Sequence, residues 1–297
     1  MVAGLLAVTI RQSRESAKSQ VGQRGILYVI IDEFNKISGD HCRKMFSDTI
    51  KLLSDRAVPA TILMIGVSDD VTGLIKDHNS IQRCLAQIHM PRMKREELEE
   101  IVKKGLLSNR MSADDSVLQE ISGLSKGLPN YTHMLALYAG RHALDRKSLL
   151  VSSEDMAFAV DNSIRQAQES IRTNYYKATN SVKKGTLFEA VLLASSMAEH
   201  DDFGWFQPAN ICEPLRKITG NLLSTDRFAV HLKGFCEDAR GPVLVRMGGE
   251  YRWKYRFSDP MMQPFVTMKG LLSKGITKDD LHLLDDPNGQ KRLDFSK

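Results

Sequence analysis

The sequence predicts an α/β protein in three parts: a parallel-sheet layer, a block of helices only, and a closing helix–strand–helix–helix–hairpin module. Three observations carry this. Ile26–Ile31 and Ala60–Val67 are continuous apolar runs without alternation, as expected of strands buried on both faces of a parallel sheet. From Lys94 to about Ala178 the apolar residues recur only at helical spacing. Near the carboxyl end, Gly248-Gly249 separates two β-rich runs, a hairpin signal.

The opening Met1–Ile10 is apolar but has no basic residues before it and no small-residue cleavage site, so it reads as the end of a buried helix or strand. After a polar stretch comes the first strand, then a helix over about Asp40–Ala57, then the second strand, which makes a βαβ unit. Helices follow over Glu96–Leu107, Asp114–Leu124 and Asn130–Leu144, the last opened by Pro129. Ser153-Glu154-Asp155 has the character of a further helix start. In the last third, Leu187–Glu199, Pro208–Ile218 and Thr225–Glu237 read as helices, with a short strand or turn at Phe203–Phe206. Val243–Arg246 and Tyr251–Phe257 form the hairpin, and the tail beyond Lys269 is polar. The expected domains are therefore 1–93, 94–180 and 181–270, followed by a tail over 271–297.

A formal charge of +5 permits an anionic partner without demanding one. The four cysteines are scattered, with no CxxC pair, which argues against a zinc or disulfide framework and for a reduced, cytoplasmic setting. No apolar run approaches the ~20 residues that cross a bilayer, so no membrane partner is expected.

The strongest local signal is Ile30-Ile31-Asp32-Glu33, an apolar strand ending in two carboxylates. That is the end at which open α/β sheets bind ligands. Solvated acids capping a strand fit the same letters. The next strand ends in Gly66-Val67-Ser68, which puts a small hydroxyl at the corresponding position; Asp69 and Asp70 read as caps of a following helix. Arg83 precedes Ile88-His89-Met90-Pro91 and a Glu-rich helix, and Gly127-Leu128-Pro129 opens the helix from Asn130. A surface ion pair would also account for Arg83, and ordinary helix capping for Gly-x-Pro.

Taken in this order, the motifs resemble an AAA+ ATPase related to the origin-recognition initiators and to STAND-like bacterial ATPases. The implied fold is a partial P-loop NTPase sheet, a helical lid and a winged helix-turn-helix. The resemblance spans about residues 20–270, and its last part is Tyr255-Arg256-Phe257-Ser258-Asp259-Pro260. It implies ATP and Mg2+ as cofactors. Asp32 would hold magnesium through water, Glu33 would orient the attacking water, and Ser68 would sense the γ-phosphate. Arg83 would serve a neighbouring subunit's nucleotide in a homo-oligomer, and Gly127 and Pro129 would lie near adenine. Where such lids carry an arginine, this sequence has Asn130-Tyr131-Thr132-His133, and His133 reads either as its substitute or as a helical histidine.

No GxxxxGK[ST] occurs in the sequence, so the backbone cradle for the β- and γ-phosphates is missing. The resemblance therefore begins partway through a domain, as in an N-terminally truncated form. ATP hydrolysis is expected with a phosphate-binding loop supplied upstream and not from this chain alone.

In the closing module, period two puts Tyr251, Trp253, Tyr255 and Phe257 on one strand face and Arg252, Lys254 and Arg256 on the other. A wing could lay these cations along a phosphate backbone while the Thr225–Glu237 helix brings Arg227, His231 and Lys233 to the major groove. Thr225–Phe257 carries seven basic and four acidic residues, and Ser181–Pro260 eleven against ten, so the basic character is confined to the wing. Duplex DNA is the favoured ligand, and a protein-contact or oligomerisation element the other reading. Three functions follow: an ATPase that couples nucleotide state to DNA binding or assembly, a non-catalytic DNA-binding or adaptor protein of AAA+ shape, and a STAND-type signalling regulator.

Overall fold

The computed structural model describes residues 26–37, 39–66, 84–86, 88, 90–181, 186–201, 203–249, 252–273, 275–278 and 280. The chain divides between Pro91 and Arg92 into two compact bodies.

In the N-terminal body, β1 (Leu27–Ile31) runs parallel to β2 (Ala60–Met64), in register from Leu27–Ala60 to Ile31–Met64. Between them lie a 3-10 turn at Phe34–Lys36 and α1 (Asp40–Asp55). Phe46, Ile50 and Leu53 share one face of α1 and close over Ile31, Phe34, Ile62 and Met64. Phe34 meets Phe46 edge-on at 5.1 Å.

The expected burial on both faces holds for β2 but not for β1. Leu27 and Tyr28 are each 62% exposed and Ile30 65%. The apolar run records a strand suited to cover, but how many neighbours it has is a tertiary matter. Among the described residues, β1 is paired along one edge only, and of its side chains only Ile31 joins the α1 core.

The C-terminal body begins with helices: α2 (Arg95–Leu107), α3 (Asp115–Ser125), α4 (Pro129–Asp145), α5 (Ser153–Arg165) and α6 (Glu169–Thr179). A two-residue parallel ladder, β3 (Ser112–Ala113) with β4 (Leu150–Val151), ties the loop before α3 to the loop before α5. Asp155 organises the α4–α5 corner. Its carboxylate is fully buried and accepts the Ser152 N–H at 2.9 Å, closing a capping box at the start of α5. It also accepts Arg146 Nε at 2.9 Å, Arg146 Nη2 at 2.8 Å and His142 Nδ1 at 2.7 Å. Burial opposes the charge, but these bonds outweigh it and hold the carboxyl well below the usual carboxylate range.

The connection from α3 to α4 is dictated by backbone. Lys126 and Gly127 are both left-handed, with φ of +49° and +77°. A Cβ on Gly127 would lie 2.6 Å from Arg92 Cβ and 3.1 Å from the Met93 carbonyl. The Met93 N–H donates to the Gly127 carbonyl at 3.1 Å, so the chain entering this body is seated directly on the turn.

The remaining elements are α7 (Phe188–Met197), a 3-10 turn at Pro208–Ile211 running into α8 (Cys212–Thr219), and α9 (Thr225–Gly234). The hairpin β5 (Leu244–Met247) and β6 (Lys254–Phe257) follows, then α10 (Met262–Leu272). The expected single helix at Pro208–Ile218 is a 3-10 turn plus a helix. Pro214 has no N–H to donate, which is tolerated in the first turn of α8. Phe206 adds a third strand position through paired bonds with Tyr255, at 2.9 and 2.8 Å. Phe188 and Phe235 meet edge-on behind α9. Arg240 donates to the carbonyls of Ala178, in the last turn of α6, and Asn180, just past its end, and its guanidinium lies 3.6 Å from the Phe188 ring centroid.

Most of α10 is buried, and it packs against α3, α5, α6 and α7. The polar tail is anchored at its start: Ile276 is buried, and Lys278 pairs with the buried Glu120 at 2.7 Å.

Two outcomes are expected. Asp155→Asn removes the charge that three donors converge on, and should lower unfolding free energy by about 3 kcal/mol in denaturant titration. Because the folded-state pKa of Asp155 is depressed, its contribution is complete above the unfolded carboxylate value of about 4 and is lost as pH falls below it. The gap between wild type and Asp155→Asn should therefore narrow on acidification. Gly127→Ala should cost about 1–3 kcal/mol through left-handed strain and the clash with Arg92. Gly105→Ala, inside α2 with open space around it, should instead stabilise by about 0.5–1 kcal/mol in thermal melts.

Candidate functional site

The ladder between β1 and β2 continues beyond the strands. Ile65 N–H donates to the Ile31 carbonyl at 2.8 Å, and Phe34 N–H donates to the Ile65 carbonyl at 2.8 Å. Asp32 and Glu33 therefore leave β1 beside Ile65-Gly66, the residues that lead out of β2. Both carboxylates are exposed. Phe34, only 1% exposed, sits in the core immediately after them and fixes the point where the chain turns.

Glu33 has left-handed backbone, φ 54° and ψ 36°, which costs a non-glycine residue about 1 kcal/mol or more. Its N–H donates to Asp32 Oδ1 at 2.7 Å, and its Oε2 lies 2.6 Å from Lys36 Nζ. That ion pair is open to solvent and worth little. The result is two exposed acidic residues, adjacent in sequence, on a strained turn where one strand of a parallel pair ends. Carboxylates are the hard oxygen donors that divalent cations take. The signals that sequence reasoning passed over were an aromatic directly after the acid pair and a lysine three residues beyond Glu33. Ser68 and Arg83 lie outside the described residues.

In the C-terminal body, Gly127 and Pro129 form the turn into α4, with Pro129 as its first helical residue. Gly127 is fully engaged by the Arg92–Met93 segment. His133 is exposed on α4.

The cations of the closing module divide into two sets. Arg227 and Lys233 are exposed on α9, opposite its buried Phe228 and Leu232, and Arg252 is exposed before β6. Lys254 and Arg256 have partners within the module instead, although the Lys254 side chain remains 44% exposed. Lys254 Nζ is 3.7 Å from Asp201 Oδ2, and the Arg256 guanidinium lies 4.4 Å from the Trp205 ring centroid. The alternation along β6 buries Tyr255 and Phe257 as expected, but Asp201 and Trp205 lie against the two cations of the other face. Arg246, on β5, stacks over Trp253 at 4.4 Å. His231 packs edge-on against Phe188 at 4.6 Å, and burial lowers its pKa, so it is a neutral packing residue near pH 7. Tyr251 lies outside the described residues.

No family model matches the chain, and no curated protein matches it. Among solved structures it is similar to the Aeropyrum pernix ORC2 protein, solved as ADPNP–ADP complexes, with 12% identity, 86% of this chain and 65% of that chain covered, and a TM-score of 0.39. It is also similar to Cdc6p from Pyrobaculum aerophilum, with 9% identity, 83% and 66% covered, and a TM-score of 0.34. The chain thus spans a little under two thirds of the length of each of these structures.

Proposed function

We propose that the N-terminal body is the metal-side half of an AAA+ type nucleotide site and that the C-terminal body joins a lid to a winged helix that contacts duplex DNA. The observation that carries the first part is the shared rim: Asp32 and Glu33 end one strand of a parallel pair, and the adjacent strand ends beside them. In this reading Asp32 holds Mg2+ through water and Glu33 orients the attacking water. Ser68 senses the γ-phosphate from the neighbouring strand, and Arg83 serves the next subunit's nucleotide in a homo-oligomer. Gly127 and Pro129 border the adenine. Bound magnesium would supply charge neutralisation for the phosphates.

The residues present fit the metal side of such a site. The phosphate side is not in this sequence, which contains no GxxxxGK[ST]. A second reading is a non-catalytic DNA-binding or adaptor protein that keeps the shape as an assembly surface.

The order of helix, bridge, helix, helix and hairpin supports the winged-helix reading, with α9 as the element facing the groove and Arg252 on the wing. Arg256 serves the module's own packing in this account, which leaves Arg227, Lys233, Arg252 and the half-exposed Lys254 as the phosphate and base contacts.

Turnover is expected only from a longer form carrying a glycine-rich phosphate loop. There, Glu33→Gln should leave nucleotide binding intact and reduce hydrolysis by about a hundredfold or more. Undiminished turnover would remove Glu33 from the reaction, and absence of turnover in every such form would favour the adaptor reading. For DNA, fluorescence anisotropy across a salt series should show Arg252→Ala and Arg227→Ala each weakening duplex binding and lowering the salt slope by about 1. Arg256→Ala should lower thermal stability instead. Unaltered binding in the Arg227 and Arg252 double substitution would rule out this face.

A further inference from the structure

The first residue of the C-terminal body makes contacts that none of the roles above requires. Arg92 Nη1 donates to the Lys126 carbonyl at 2.9 Å, in the turn before α4, and to Gln263 Oε1 at 2.6 Å, in the first turn of α10. Its Nη2 borders Gly204, so closely that a Cβ there would lie 3.3 Å away. One guanidinium therefore touches the helical bundle, α10 and the turn that supports β6. The chain continues through Gln263, whose Nε2 donates to the Ser196 carbonyl at 3.0 Å at the end of α7. Ser196 Oγ is 3.1 Å from Thr267 Oγ1. Ser196, Gln263 and Thr267 are all buried, so their bonds have little competition from water.

Two further ties run the same way. Tyr131, buried on α4, donates its hydroxyl to the Met261 carbonyl at 2.9 Å, and Lys278 pairs with Glu120 on α3. The surroundings keep the arrangement singular. Burial and nearby Arg256 bring Arg92 down to about 10, so it stays charged at neutral pH. Burial, then the charge of Arg92, holds His200 at about 4, so it adds no second cation.

We propose that Arg92 is a positioning residue that pins the helical bundle and the hairpin-bearing module into one mechanical unit, so that displacement of the turn at 126–128 is carried to α7, α10 and the hairpin. Arg92 directly follows the division between the two bodies, so the covalent chain enters the C-terminal body at the pin itself. A nucleotide-dependent movement of the lid, if the function proposed above holds, would then reorient the α9 face without a separate relay. The pin itself is independent of that reading, because it is defined by packing within the C-terminal body.

Native-state hydrogen exchange on the full chain tests it, read in peptides covering α4–α5 and in peptides covering α7 and α10. Asp155→Asn loosens the α4–α5 corner from within. With Arg92 in place, its effect should spread, raising exchange by similar factors in both sets. In an Arg92→Met background the same change should raise exchange in α4–α5 alone, leaving α7 and α10 behind by about tenfold or more. Gln263→Met cuts the same link from the other side and should reproduce that separation, which guards against an Arg92 variant that folds poorly. The proposal is overturned if the Asp155→Asn effect stays confined to α4–α5 with Arg92 intact, or if it spreads equally after either Arg92→Met or Gln263→Met. A purely local packing role for Arg92 would destabilise both regions without uncoupling them.

Discussion

Parallel strands deliver their carboxyl ends to the same side, and when they are adjacent and in register those ends emerge within one hydrogen-bond ladder. The pairing of Leu27–Ile31 with Ala60–Met64 is the constraint on which the candidate site depends. Its last bonds, Ile65 to Ile31 and Phe34 to Ile65, lie on either side of the acid pair, so Asp32 and Glu33 are bracketed by fixed backbone. Phe34 then locks the exit by entering the core with Phe46 and Ile50. The two exposed carboxylates therefore leave the strand from backbone that is held on both sides. The strained backbone at Glu33 belongs to the same economy, since local strain persists only where the surroundings over-determine it.

The C-terminal body is held by a different physics. Its elements include short helices, and helices of that length draw their stability from packing rather than from propensity. The binding forces are buried apolar faces together with a few charge-assisted bonds at junctions: Asp155 between α4 and α5, Arg240 at the end of α6, Arg92 at the entrance. Each links segments that the chain separates by a loop or more, and each satisfies backbone carbonyls or N–H groups that would otherwise be orphaned.

Element type and order were largely legible in the sequence, because apolar periodicity and cap chemistry are local. The acid pair at the end of β1 and the glycine before Pro129 were legible for the same reason. What the letters could not convey were contacts between distant residues. The Arg92–Gln263 bond joins positions 171 apart, and that to Lys126 spans 34. In the letters Arg92 is a basic residue after a proline, with no motif to single it out. Period two correctly separated aromatics from cations along β6, but it could not show that Asp201 would lie near Lys254 or that Arg256 would stack on Trp205. The exposure of β1 was hidden likewise, since an apolar run looks the same whether or not a neighbour is there to cover it.

The face of β1 that the described residues leave uncovered bears on how the protein behaves in concentrated solution. Leu27–Ile31 is apolar, mostly β-branched or aromatic, uncharged and open along one edge among the described residues, which is the composition that seeds intermolecular sheet growth. Charge at the end of such a segment is the usual deterrent to stacking. Asp32 and Glu33 stand at that end, so the two acids proposed for the nucleotide site would also act as gatekeepers against aggregation, and neutralising them would remove a safeguard of solubility.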